Sequence, residues 1–280
     1  MSNAFWSDPP WANGNGGHQM LVKPLAESGW CPKQITAVEK KAKQHLLENN
    51  FSTVVQTVGD SGDAQHLLAQ AIGHRHALAN TSALNLPADI SRSKAIIASA
   101  LTVPEDLCLM RLEGDSYRLV AACVCAPSYW LLPEKIGLTL RQIHQPVPGL
   151  DQALAERMSE FFTRLPANRV FTRRNWLLHT SNERFQPVDE HLPKLHTADE
   201  ARQLIMRSET QTLRRLSAEV VVFTINVECY PLTDICAYPS AATALKQALL
   251  SRSAEEREAA GQDKYHRGVI ELLDSVRVQP

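Results

Sequence analysis

"LCLMRLEGDSYRLVAACVCAPSYW", residues 107–130, decides the fold class. Two apolar runs flank "EGDS", and Gly beside Asp between such runs is the turn chemistry of a β-hairpin. Cys123 and Cys125 fall two apart on the second run, so they point to one face as small hydrophobes. Downstream, "VFTRRNWLLHT" (170–180) and "EVVVFTINVECYPL" (219–232) are rich in Val, Ile, Phe and Thr and read as further strands. Between them, "RQLIMRSETQTLRRL" (202–216) fits a strand that turns into a short helix.

Helical patterns surround these strands. Residues 35–50, 63–79 and 91–100 precede them, 151–164 interrupts them, and amphipathic helices over about 240–260 and 263–275 follow. Residues 1–30, rich in Pro, Gly and Trp, read as an extended arm pinned by Trp6, Trp11 and Trp30. The expected class is α+β, an antiparallel sheet wrapped by N- and C-terminal helices. The change of character near residue 104 separates an arm and helical region (1–103) from a sheet core (104–280). No linker forces a cut, so the two are expected to form one compact unit.

With 280 residues, 44% of them hydrophobic, the chain has ample material for a core. A net charge of −1 and a pI near 6.8 argue against a nucleic-acid partner. The longest apolar run, 119–126, is too short to span a bilayer, and no charged start followed by an apolar stretch marks a secretory signal. The six cysteines form no C-x-x-C pair, which speaks against a zinc ribbon or iron–sulfur cluster. Reduced thiols in the cytoplasm are the expectation. Walker, G-x-G-x-x-G and G-x-S-x-G patterns are all absent.

"LPEKIGLTLRQIHQPVPG" (132–149) carries the first candidate residue. Pro133 suits a first helical position; Ile136, Leu140 and Ile143 make an apolar stripe, and Pro146 and Pro148 stop the helix just after His144. A histidine there is either a packed side chain whose charge favours the helix C-terminus or an axial metal or heme ligand on a rigid support. "HRH" (74–76) is a weaker metal candidate, because residues two apart on a helix diverge. "SETQTLRRL" (208–216) groups Glu209, Gln211, Thr212, Arg214 and Arg215. It is either a solvated polar turn with Leu213 and Leu216 packed inward, or an anion site with a carboxylate beside it. In "RRNW" (173–176), strand alternation puts Arg173 and Asn175 on one face and Trp176 on the other.

"PEDLCLM" (104–110), "CVCAPSYWLLPEKIGLTLRQIHQPVPG" (123–149), "RRNWLL" (173–178) and "RSETQTLRRLSAEVVVFTI" (207–225) together resemble the alpha subunit of heme-dependent oxidative N-demethylase and its relatives. "KYHRGVIELL" (264–273) resembles the family's closing helix. The sequence departs from the family at Thr210 and Ser217, where Arg and Pro are more usual. The resemblance implies a PAS-like antiparallel sheet that holds heme b and oxidises a small methylated amine with O2, releasing formaldehyde. It implies His144 as the axial iron ligand, Arg214 and Arg215 as propionate donors with Lys135 as a further one, and Glu209 as the catalytic group. Glu209 would hold a cationic amine or relay a proton. Arg173, Asn175 and Trp176 would line or support the substrate pocket. Electrons would come from a partner reductase, NADPH/flavin or iron–sulfur, not bound by this chain, and folate-dependent subunits are further expected partners. A PAS-like heme sensor without turnover is the alternative class, and a heme-free structural relative a third.

Overall fold

The hairpin forms where the turn chemistry places it. In the computed structural model β3 (Asp106–Glu113) and β4 (Ser116–Cys123) pair antiparallel around Gly114 and Asp115. Gly114 takes φ 61°, a left-handed conformation that a Cβ resists. The register slips by one residue between Leu109 and Met110, a bulge that adds local twist. The structure describes residues 3–14, 22–82, 84–87, 90–144, 152–188 and 193–276.

Five more strands complete the sheet: β1 (Lys23–Leu25), β2 (Val55–Thr57), β5 (Val170–His179), β6 (Ile205–Arg215) and β7 (Val220–Pro231). The order is β1-β5-β6-β7-β3-β4-β2, every pairing antiparallel. The two edge strands are three residues each and come from the first hundred residues. Such short edges offer little unpaired backbone to another chain. The expected turn into a helix within 202–216 does not occur. β6 lies between β5 and β7 and is bonded along its length on both sides. A helical turn there would orphan backbone groups in both neighbours, so pairing overrides the helix propensity of Leu, Gln and Arg.

The main helices are α1 (Ala37–Asn49), α2 (Gly62–Gly73), α3 (Lys94–Ala100), α4 (Gln152–Arg164), α5 (Pro239–Ser251) and α6 (His266–Asp274). One face of the sheet packs Leu107, Leu109, Val170 and Val222 against Leu47, Leu68, Ile72, Ile96 and Ile97 of α1–α3. Further along that face, Trp176, Leu178 and Met206 meet Leu245, Leu249, Val269 and Leu272 of α5 and α6. Trp6, Trp11 and Trp30 are buried on this side too, so the N-terminal segment is pinned as its tryptophans suggest, though it begins with a helical turn, Asn3–Ser7, rather than extended chain. Cys123 and Cys125 share this core. The second face packs Cys108, Met110, Leu213 and Val221 against Leu132, Leu140, Phe162 and Leu165.

Two expected helices are broken. The stretch from Pro133 to His144 forms two turns, Leu132–Lys135 and Leu140–His144. Gly137 at φ 78° ends the first. Thr139 and Gln142 start the second by exchanging hydrogen bonds at 2.9 and 3.3 Å, a reciprocal cap. The helix expected over 240–260 stops at Ser251 because Arg252 is extended (ψ 140°). Ser253 and Glu256 then cap a separate turn, Ala254–Ala259.

Candidate functional site

On the second face, strand register assembles a polar patch. Arg173 lies opposite Gln211, which faces Ile225 on β7; Asn175 lies opposite Glu209, which faces Val227. Two carboxamides, a carboxylate and a guanidinium therefore sit beside an apolar wall. Glu209 is buried, with 7% of its surface exposed. Its Oε1 accepts from Ser128 Oγ at 2.5 Å, and its Oε2 from Gln211 Nε2 at 2.8 Å and Asn175 Nδ2 at 3.4 Å. All three donors are uncharged. A carboxylate offers about four acceptor positions, so one direction remains for a further donor.

His144 ends the turn that packs Leu140 and Ile143 onto this face, among Leu213, Phe171 and Phe223. Its Nδ1 stands 2.8 Å from the Leu140 carbonyl oxygen. A carbonyl only accepts, so Nδ1 carries the proton and Nε2 keeps its lone pair. Burial pushes the imidazole below its ordinary value of 6.5, and the positive charges of Arg173 and Lys135 push the same way, against the hydrogen bond to Leu140. The helix-end preference for a charged histidine loses to these effects. A neutral ring of fixed tautomer is the state a metal ligand needs. Pro146 and Pro148 lie outside the described residues.

Arg173 presents a buried Nε with no hydrogen-bond partner. Burial lowers its pKa and the negative charge of Glu209 opposes that shift. An orphaned guanidinium N–H is a place for an acceptor, most favourably a carboxylate. Among the described residues no three His, Cys, Asp or Glu side chains come together as a metal cluster. A single imidazole suits iron that brings its own equatorial nitrogens, as in a porphyrin. The donor set therefore fits heme: one imidazole whose Nε2 is left for the metal, and a guanidinium whose Nε lacks a hydrogen-bond partner for a propionate.

The expected propionate pair does not converge on this group. Neighbouring strand residues point to opposite faces, and Arg214 lies on the first face. There it pairs with Glu27 at 2.8 Å and stacks 4.4 Å over Trp30. Arg215 sits on the second face at the far end of β6. It donates to the carbonyls of Leu165 and Phe162 at 2.6 Å and Ala218 at 2.7 Å, and to the Tyr117 hydroxyl at 3.0 Å. Both arginines thus hold the fold together. Trp176 is on the first face, 5.3 Å from Trp11 and 4.4 Å under Arg252, so it backs the strand rather than lining the patch. Lys135 closes the turn before Gly137, near enough to His144 for its charge to register there. His74 is exposed and His76 bonds the Cys31 carbonyl at 2.9 Å, so "HRH" gathers no ligand set.

Ser128 and Arg207 belong to the site and carry no short-range motif. Arg207 is fully buried and donates to Ser128 Oγ at 2.8 Å. It also donates to the carbonyls of Ala126, Pro127, Glu183 and Arg184 at 2.8 to 3.2 Å. The available signal was spacing: Arg207, Glu209 and Gln211 alternate along one strand face. Two clefts of about 400 and 410 Å³ lie elsewhere, around Leu86 and Lys94 and around Trp6 and Tyr238; neither is lined by a histidine or cysteine.

A family model described as "haem-dependent oxidative N-demethylase, alpha subunit-like" matches residues 41–269, which include β2 to β7 and the His144 turn. No curated protein matches the chain.

Proposed function

The chain belongs to the heme-dependent oxidative N-demethylase, alpha subunit-like family, and from that premise we propose that it is the heme-binding oxidoreductase subunit of an O2-dependent oxidative N-demethylase. Its substrate is a small methylated amine that loses the methyl group as formaldehyde. The observation that carries this proposal is His144, half-buried with Nδ1 committed to the Leu140 carbonyl and its pKa pushed down by desolvation.

When bound, heme b supplies O2 activation and oxidation of the N-methyl C–H bond. His144 holds the iron through Nε2. Arg173 offers its unpaired Nε to a propionate, a role assigned here to Arg173 in place of Arg214 and Arg215. Glu209 receives the substrate ammonium at its open acceptor position and is placed to take up its proton. Asn175 and Gln211 hold Oε2 in place. Glu209 accepts hydrogen bonds only from uncharged donors, with the guanidiniums of Arg173 and Arg207 acting on it from beyond ion-pair distance, and its open acceptor position supports binding of a cationic amine over gas sensing alone.

An alpha subunit-like family implies a multi-subunit complex. The electrons come from a partner reductase with flavin or iron–sulfur groups. Across the sheet the five long strands run β4-β3-β7-β6-β5, an order that supports a PAS-like description. All six cysteines are free thiols, which supports a cytoplasmic setting, and no helix of the described residues is long and apolar enough to cross a membrane. The test is formaldehyde release by heme-loaded protein with a reductase, NADPH, O2 and dimethylamine. Release that requires all four supports the proposal. A stable heme complex that never turns over points to a sensor, and failure to bind added heme b refutes it.

A further inference from the structure

We propose that Ser128 is a positioning residue for amine recognition: it transmits the anchoring of buried Arg207 to Glu209 and thereby aims the carboxylate. The inference rests on the proposed amine oxidation and deepens it. A serine hydroxyl has one proton and two lone pairs. Arg207 Nε, a donor only, occupies one lone pair at 2.8 Å. The proton then points to Glu209 Oε1, 2.5 Å away. The chain runs one way, from guanidinium N–H to hydroxyl to carboxylate, so the direction of each bond is set by chemistry rather than by a free choice of rotamer.

The turn that carries Ser128 is built to hold it. Ser128 bridges to Gln186, Gln186 N–H donates to the Pro127 carbonyl at 3.3 Å, and Tyr129 N–H donates to the Gln186 carbonyl at 2.8 Å. Tyr129 itself is held at φ 62°, where a side chain is strained, with its ring stacked 4.4 Å from His179. Arg207 ties the 126–127 and 183–184 carbonyls together from beneath. The bonds around Tyr129 over-determine that backbone and so fix the adjacent Ser128, whose hydroxyl faces the carboxylate.

Removing the hydroxyl leaves Oε1 without a donor and lets the carboxylate rotate away from the position that receives the ammonium. The test compares wild type, Ser128→Ala and Ser128→Thr, each as the full chain loaded with heme, titrated with dimethylamine and with 2-propanol, an uncharged molecule of similar size. Expected are unchanged Soret spectra in all three, with a lower melting temperature in Ser128→Ala, where buried Arg207 Nε loses its partner, that returns in Ser128→Thr. Dimethylamine affinity falls about tenfold or more in Ser128→Ala, the scale of a lost bond to a charged group, and returns in Ser128→Thr. Any response to 2-propanol is equal throughout. In turnover, Ser128→Ala raises KM more than it lowers kcat. Wild type that binds dimethylamine, with Ser128→Ala of equal affinity, overturns the Ser128 role alone. A Ser128→Ala protein that loses heme, or a threonine variant as weak as alanine, also overturns it by making the residue merely structural. Wild type that binds no amine overturns both this role and the function beneath it.

Discussion

Glu209→Gln removes one negative charge and almost no volume, so its effect reads the electrostatics of the site. The carboxylate accepts three hydrogen bonds: 2.5 Å from Ser128, 2.8 Å from Gln211 and 3.4 Å from Asn175. An amide keeps one accepting oxygen and turns the other position into a donor. Placed with its oxygen toward Gln211 and Asn175, the new amide retains those two bonds and loses the one from Ser128. That costs roughly 1 kcal/mol of stability, the usual net value of one hydrogen bond. The ammonium loses a charged partner, worth about 1.5–3 kcal/mol, or roughly ten- to a hundredfold in affinity. The loss in amine binding therefore exceeds the loss in stability. The assay is a titration of the heme spectrum with dimethylamine, alongside urea denaturation of both proteins. Equal amine affinity in wild type and variant would remove Glu209 from the substrate site, and a stability loss larger than the affinity loss would make its role structural.

Two further substitutions test the placement of the elements. Arg214→Ala removes an ion pair whose partner Glu27 is half exposed and a stacking contact on Trp30; about 1–2 kcal/mol of stability should go, read by urea denaturation, with heme affinity unaltered. Weakened heme retention at constant stability would return Arg214 to the cofactor. Gly268→Ala puts a Cβ 2.6 Å from the Thr197 carbonyl oxygen and 3.2 Å from that of Leu195. The forced separation of α6 should cost about 1–3 kcal/mol in the same assay, outweighing the roughly 1 kcal/mol by which alanine favours a helix; a variant as stable as wild type would mean that α6 packs less closely against residues 195–197.

Local chemistry made much of this architecture legible. The hairpin follows from Gly114 and Asp115 between apolar runs, and the separation of Arg173 and Asn175 from Trp176 follows from strand alternation alone. The same rule, applied to the adjacent Arg214 and Arg215, separates them as well; grouping them as one anion site overlooked it. The break at Gly137 was visible only as a glycine within an otherwise helical stripe, and β6 resembled a helix because β5, which pairs one side of it, is separated from it by residues 180–204. Ser128 and Arg207 escaped notice for a related reason. They stand 79 positions apart, and their meeting depends on how the 126–130 turn crosses β6, which no local pattern encodes. His144 could be singled out, but its neutral state could not. That state comes from burial and from Arg173 and Lys135 brought close by the fold.

The central claim is that His144 binds heme iron. The most direct measurement is the absorption and resonance Raman spectrum of heme b reconstituted into wild type, His144→Ala, and His144→Ala supplied with free imidazole. The predicted result is an iron–histidine signature in wild type, its loss or the loss of heme itself in the variant, and its recovery with imidazole. An unchanged spectrum in His144→Ala, with the fold intact, would contradict the assignment.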